Sequence, residues 1–90
     1  MNKAIITVVG KDTVGIIARV CTYLAENNVN ILDISQTIIH GYFNMMMMVD
    51  MSKVTKNFEQ IDTELEEVGK VLGVQIKCQR EEIFDRMHRV

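Results

Sequence analysis

Ile31-Leu32-Asp33-Ile34-Ser35-Gln36-Thr37-Ile38-Ile39-His40-Gly41-Tyr42-Phe43-Asn44-Met45-Met46-Met47-Met48-Val49 is the stretch that decides the fold of this chain. Two strand-like runs flank His40-Gly41, and glycine accepts the positive φ that a tight hairpin turn requires. A two-residue loop pairs Ile39 with Tyr42, so that partner numbers sum to 81 along the hairpin. One face then carries Ile38/Phe43, Gln36/Met45, Ile34/Met47 and Leu32/Val49. The other carries Ile39/Tyr42, Thr37/Asn44, Ser35/Met46 and Asp33/Met48. The first set is nearly all apolar, and a slip of one residue would turn it to water, so it is the expected core face. Strands are expected over 29–39 and 42–51.

Upstream, residues 3–9 are short and β-branched, are bounded by Gly10 and read as a buried strand. Asp12 or Thr13 is placed to cap the helix that follows. That helix shows Ile16, Ile17, Val20, Cys21 and Leu24 on one face and ends at Asn27-Asn28. Downstream, Phe58, Ile61, Leu65, Val68 and Leu72 step by three and four, the spacing of an amphipathic helix. Asn57 with Gln60 forms a capping box at its start, and Gly73 closes its end. Val74, Ile76 and Cys78 alternate with Gln75, Lys77 and Gln79, giving a fourth, half-buried strand. Ile83, Phe84 and Met87 mark a short amphipathic helix within the tail 81–90. The order β-α-β-β-α-β with short connections gives an α+β fold of the ferredoxin-like type, an antiparallel four-stranded sheet with both helices on one face.

Two helices cover one face only. The other is expected to show Ile39, Tyr42, Met46 and Met48, beside either Ala4, Ile6 and Val8 or Ile5, Thr7 and Val9. That is more apolar than a water-facing sheet, so a cover is expected: a second chain, the tail helix or both. The tail stripe is too short to hold a helix by itself and must dock, with the free face at a dimer interface as the favoured place.

Composition narrows the function. The chain has 90 residues, net charge −2, two cysteines and no proline. One small domain with a single core leaves little room for a deep active site. Without a basic cluster there is no electrostatic footprint for nucleic acid, and strand 1 lacks the aromatic residues on which an RNA-binding sheet stacks bases. No run approaches a membrane span, and the apolar start is too short for a signal peptide, so a cytoplasmic location is expected. Met45 to Met48 alternate faces in a strand and do not converge on a metal ion. Cys21 and Cys78 fall on core-facing positions and read as packing. Zinc-binding spacings, nucleophile elbows and phosphate loops are absent, so neither a catalytic residue, a metal nor a cofactor is expected.

One constellation carries chemistry. Gly10-Lys11-Asp12-Thr13-Val14-Gly15-Ile16 joins strand 1 to helix 1, and Asn28-Val29-Asn30-Ile31 opens strand 2. A helix N-terminus suits a carboxylate, Asp12 suits an ammonium, and Asn30 both donates and accepts hydrogen bonds. A zwitterionic amino acid matches that set. The same residues equally serve as a helix cap, a close-packing glycine and a local turn.

The order Gly10-x-Asp12-x-x-Gly15-Ile16, Val20, Leu24, Val29-Asn30-Ile31, Gly41 and Phe43 resembles the ACT domain family. It is most similar to small stand-alone ACT proteins and to ACT domains of the glycine cleavage system transcriptional repressor. The resemblance spans about residues 3–80, which sets the domain at 1–80 and leaves 81–90 as a separate tail. It implies a non-catalytic regulator that pairs through its sheet and binds an amino acid at the homodimer interface. Asp12, Thr13, Val14, Gly15 and Ile16 would contribute from one subunit, with Asn30 and Ile31 reached from the other. The output would be a partner enzyme or transcriptional regulator; a protein-interaction module without a metabolite is the alternative. Two departures stand out. Val14 stands where many members have proline, and Gly10 stands where some serine-binding members have histidine.

Overall fold

The computed structural model describes residues 2–82. Its elements are β1 (Lys3–Lys11), α1 (Ile16–Glu26), β2 (Asn30–Ile39), β3 (Tyr42–Asp50), α2 (Phe58–Leu72) and β4 (Val74–Arg80). They form one antiparallel sheet in the order β2-β3-β1-β4, the ferredoxin-like arrangement expected from the sequence. Beyond Glu82, the expected tail helix lies outside the described residues.

The hairpin register holds from Ile39↔Tyr42 to Asp33↔Met48, then shifts so that Ile31 rather than Leu32 faces Val49. Leu32 is the extra residue of a β-bulge, a local device that twists an edge strand. Both turn residues have positive φ, 52° at His40 and 79° at Gly41, the backbone of a two-residue hairpin whose twist matches its strands.

The core gathers Ala4, Ile6 and Val8 of β1, Phe43, Met45, Met47 and Val49 of β3, and Val74, Ile76 and Cys78 of β4. Ile16, Val20 and Leu24 of α1 and Ile61 and Leu65 of α2 close over them. Burial of each such Ile, Leu or Phe stabilises the fold by roughly 1.5–3 kcal/mol. The α1 stripe is narrower than expected. Ile17 is exposed and Cys21 half-buried, because the helix buries Ile16, Val20 and Leu24, four apart, and turns their neighbours outward. At α2 the capping box is present: the Gln60 backbone N–H donates to Asn57 Oδ1 at 2.8 Å, and the Asn57 N–H to Gln60 Oε1 at 3.0 Å. The Asn28 φ of 60° and the Gly73 φ of 75° mark the expected helix ends.

Strand β2 departs from expectation. Leu32, Ile34, Gln36 and Ile38 were the hairpin's core-facing set, yet all four are exposed. β2 is the outer strand, and two helices over a four-stranded sheet do not reach it. On the opposite edge a helix side chain does reach the outer strand: the Cys78 N–H of β4 donates to Asp62 Oδ1 of α2 at 3.3 Å. No helix among the described residues is long and apolar enough to cross a membrane.

Candidate functional site

Gly15, not Asp12 or Thr13, is the N-cap of α1. Its φ is 94°, a left-handed conformation that costs an L side chain about 1–2 kcal/mol. The chain therefore turns into α1 on a glycine, and no side chain bonds the helix start. Arg19 N–H closes the first helical bond to Gly15 C=O at 2.9 Å. The N–H groups of Ile16, Ile17 and Ala18 precede it and have no intrahelical acceptor, so the positive end of the helix is open.

Asp12 is held by its backbone, its N–H donating to Gly41 C=O of the hairpin turn at 2.8 Å. Its carboxylate is exposed and takes no hydrogen bond or ion pair among the described residues. Thr13 is exposed, and Val14 is 98 % exposed, an apolar side chain held in water. Ile16, by contrast, is 2 % exposed and pins the helix start to the core. The loop thus presents a free carboxylate, an apolar contact and unpaired backbone donors from one anchored turn.

Asn30 and Ile31 lie elsewhere. Asn30 pairs with Asp50, and Asp50 with Lys3, at the end of the sheet where β1 begins. The Asp12 loop follows the end of β1, where Lys11 pairs with Tyr42. Eight or nine residues at about 3.3 Å each place the two halves of the expected site roughly 25–30 Å apart within one chain. The structure therefore brings Asp12 to Ile16 together and leaves Asn30 and Ile31 at the far end.

Gly10 has its own explanation. A Cβ there would lie 2.8 Å from Val74 Cγ1 and 3.0 Å from Val74 Cα. The absence of a larger residue at this position follows from β1–β4 packing, independent of any ligand.

The titratable groups whose ionisation is perturbed do structural work away from this loop. Burial, reinforced by Glu64, raises the Tyr23 hydroxyl, which donates to Glu64 Oε1 at 2.7 Å. Glu64 is held below the usual carboxylate range by Lys56 Nζ, at 2.7 Å, and then by Tyr23. The set ties α1 to α2. Burial, then the neighbouring Asp62, pushes the Cys78 thiol up to about 12, so it is an inert core residue. Hydrogen bonds from Ser52 lower Asp50. No group of three or more potential metal ligands exists among the described residues. A concavity of about 530 Å³ opens at the α2 start, lined by Lys3, Lys56, Phe58 and Arg80. Nothing in the sequence pointed to it, and it lies at the end of the sheet away from Asp12.

The ACT domain profile matches residues 2–79, and the chain belongs to the ACT domain family. It is 68 % identical over 90 residues to a UPF0237 protein of Bifidobacterium longum, covering 100 % of both chains. An ACT domain protein from Streptococcus pneumoniae of known structure is 46 % identical, with a TM-score of 0.82 over 93 % of this chain and 94 % of that one. A putative glycine cleavage system transcriptional repressor superposes with a TM-score of 0.75 at 22 % identity, over 88 % of this chain and 45 % of that one, a likeness of fold. ACT domains are commonly regulatory, ligand-binding modules, and the family membership points to no catalytic activity.

Proposed function

We infer that this chain is a non-catalytic regulator that binds a small amino acid at a homodimer interface and acts on a partner enzyme or transcriptional regulator. The observation that carries the reading is the Asp12–Ile16 loop: an open helix N-terminus beside a carboxylate with no partner among the described residues. The two charges of an α-amino acid complement those two features, carboxylate to helix end and ammonium to Asp12.

The position of Asn30 supports a dimer built edge to edge. β2 is exposed on both faces and, among the described residues, has β3 as its sole neighbour in the sheet. Two such strands pairing antiparallel about a two-fold axis near Ser35 and Gln36 would set the partner's Asn30 beside His40 to Tyr42. Gly41 of that turn already accepts the Asp12 N–H. A separation of roughly 25–30 Å within one chain becomes a contact between two. This reading pairs the chains edge to edge, where the sequence pointed to the free sheet face.

Thermal melts with each of the twenty amino acids test the reading. A ligand at 100 times its dissociation constant adds about 2.7 kcal/mol, a shift of ten degrees or more for a domain this small. If none of the twenty shifts the melt, the amino-acid reading falls and an interaction module without a metabolite takes its place. The 98 % exposure of Val14 is the feature such a module would use.

A further inference from the structure

An apolar groove runs between α1 and β2 and begins at the open end of the helix. α2 lies toward β4, where Asp62 takes the Cys78 N–H, so α1 lies toward β2 at the other end of the strand order. The rotation of α1 is fixed by Tyr23, whose hydroxyl donates to Glu64 of α2 at 2.7 Å. At about 100° per residue, Ile17 and Cys21 stand roughly 120° and 160° round the helix from Tyr23. The buried stripe of Ile16, Val20 and Leu24 lies between, which puts Ile17 and Cys21 on the flank turned to β2. The facing wall is the helix side of β2. Ile34 and Ile38 pair with the core residues Met47 and Phe43 and share their face, yet both are exposed, as is Ile17. Only Gln36, between the two isoleucines, adds a polar group to that wall, and neither wall carries a charge.

We propose that this groove receives the side chain of the bound amino acid and selects the aliphatic α-amino acids: valine, leucine and isoleucine. The proposal rests on the reading of the Asp12–Ile16 loop as an amino-acid site and adds what discriminates among its ligands. The row Ile38, Phe43 and Gly10 is the last on the helix side before the chain leaves β1 for that loop. Ile17 belongs to both features. Its N–H is one of the unpaired donors at the helix start, and its side chain stands on the groove wall. With the carboxylate on the helix end and the ammonium on Asp12, the side chain is the one part of the ligand left to place. Laid along the groove, an aliphatic side chain is buried against Ile17 and Ile38. A hydroxyl or charge carried there would lose its water without a matching partner.

Calorimetric titration of the full-length protein with each of the twenty amino acids tests the assignment. The tightest ligand should be leucine, isoleucine or valine, about tenfold or more ahead of alanine and serine, since a single methylene in an apolar pocket changes affinity about 10–200-fold. Ile17→Ser keeps the backbone donor and should weaken that ligand about tenfold or more, with far-ultraviolet dichroism unchanged. Any other amino acid as the tightest ligand would overturn the groove as selector and leave the loop as an amino-acid site. So would an Ile17→Ser protein that binds the aliphatic ligand as the wild type does. Binding of none of the twenty would remove the loop site itself, and the groove's role with it.

Discussion

Replacing Ile34 and Ile38 together by lysine should separate the homodimer without unfolding the protomer. Both side chains stand on the helix-side face of β2 and are 46 % and 53 % exposed in the single chain. About half of each isoleucine is thus left to bury on pairing. Full burial of such a side chain is worth roughly 1.5–3 kcal/mol, so each contributes about 0.7–1.5 kcal/mol to association. A two-fold interface uses each position twice, which gives about 3–6 kcal/mol. At 1.4 kcal/mol per decade, the dissociation constant should rise by two to four orders of magnitude. Lysines on a sheet edge also oppose strand pairing directly. Sedimentation velocity over a thousandfold range of concentration reads the shift. The protomer's far-ultraviolet dichroism should be unchanged, since substitutions at exposed positions cost about 0.5 kcal/mol or less. A double variant that dimerises at the wild-type concentration, or a wild-type chain that is monomeric throughout, would refute the edge-pairing reasoning.

Three other outcomes are expected. Asp12→Asn should change stability by no more than about 0.5 kcal/mol, because this side chain caps nothing, yet it should remove the melt shift induced by an amino acid; scanning calorimetry with and without ligand reads both. Gly10→Ala and Gly15→Ala should each destabilise in urea titrations, for different reasons. The first meets Val74 and should cost about 1–3 kcal/mol, partly recovered by Val74→Ala; the second has open space but the wrong φ and should cost about 1–2 kcal/mol, with Gly15→Asn costing less. Alkaline pH should destabilise the fold. The Cys78 thiol titrates near 12 when folded against an ordinary value of 9.0. Between those values the unfolded chain has released a proton that the folded chain retains, so stability falls as pH rises, by about 1.4 kcal/mol per unit. Cys78→Val should remove that part of the slope, and urea midpoints from pH 8 to 11 read it.

The fold was legible because its signals are local. The hairpin register, the capping box at Asn57, the Gly73 stop and the stripe of α2 each depend on residues within a few positions of one another. The exposure of β2 was not legible, since alternation says which side chains share a face and not whether a helix covers it. Ile34 and Ile38 read as core by pattern and stand in water by position. The helix cap was missed for a related reason. Asp12 and Thr13 are good capping residues, but the chain enters α1 through a left-handed Gly15, and that conformation is fixed by the path from the β1 end to the Ile16 anchor. For the site, the sequence supplied the residues and, through the crossover that makes β1 and β2 parallel, their placement at opposite ends of the sheet; the structure added the anchoring of the Asp12 backbone to the hairpin turn and the left-handed Gly15.

The hydrogen bond from the Cys78 backbone to Asp62 bears on what size of assembly this chain builds. A sheet with two bare edges can add copies on both sides and grow without limit. Here a carboxylate on α2 already occupies a donor on the outer side of β4, while β2 carries no such shield from a helix. Pairing through β2 alone is isologous: each copy uses the same surface, and the second copy consumes it. In the proposed edge-paired dimer the assembly would close at two, with Asp62 occupying one donor on the edge through which a filament would otherwise grow.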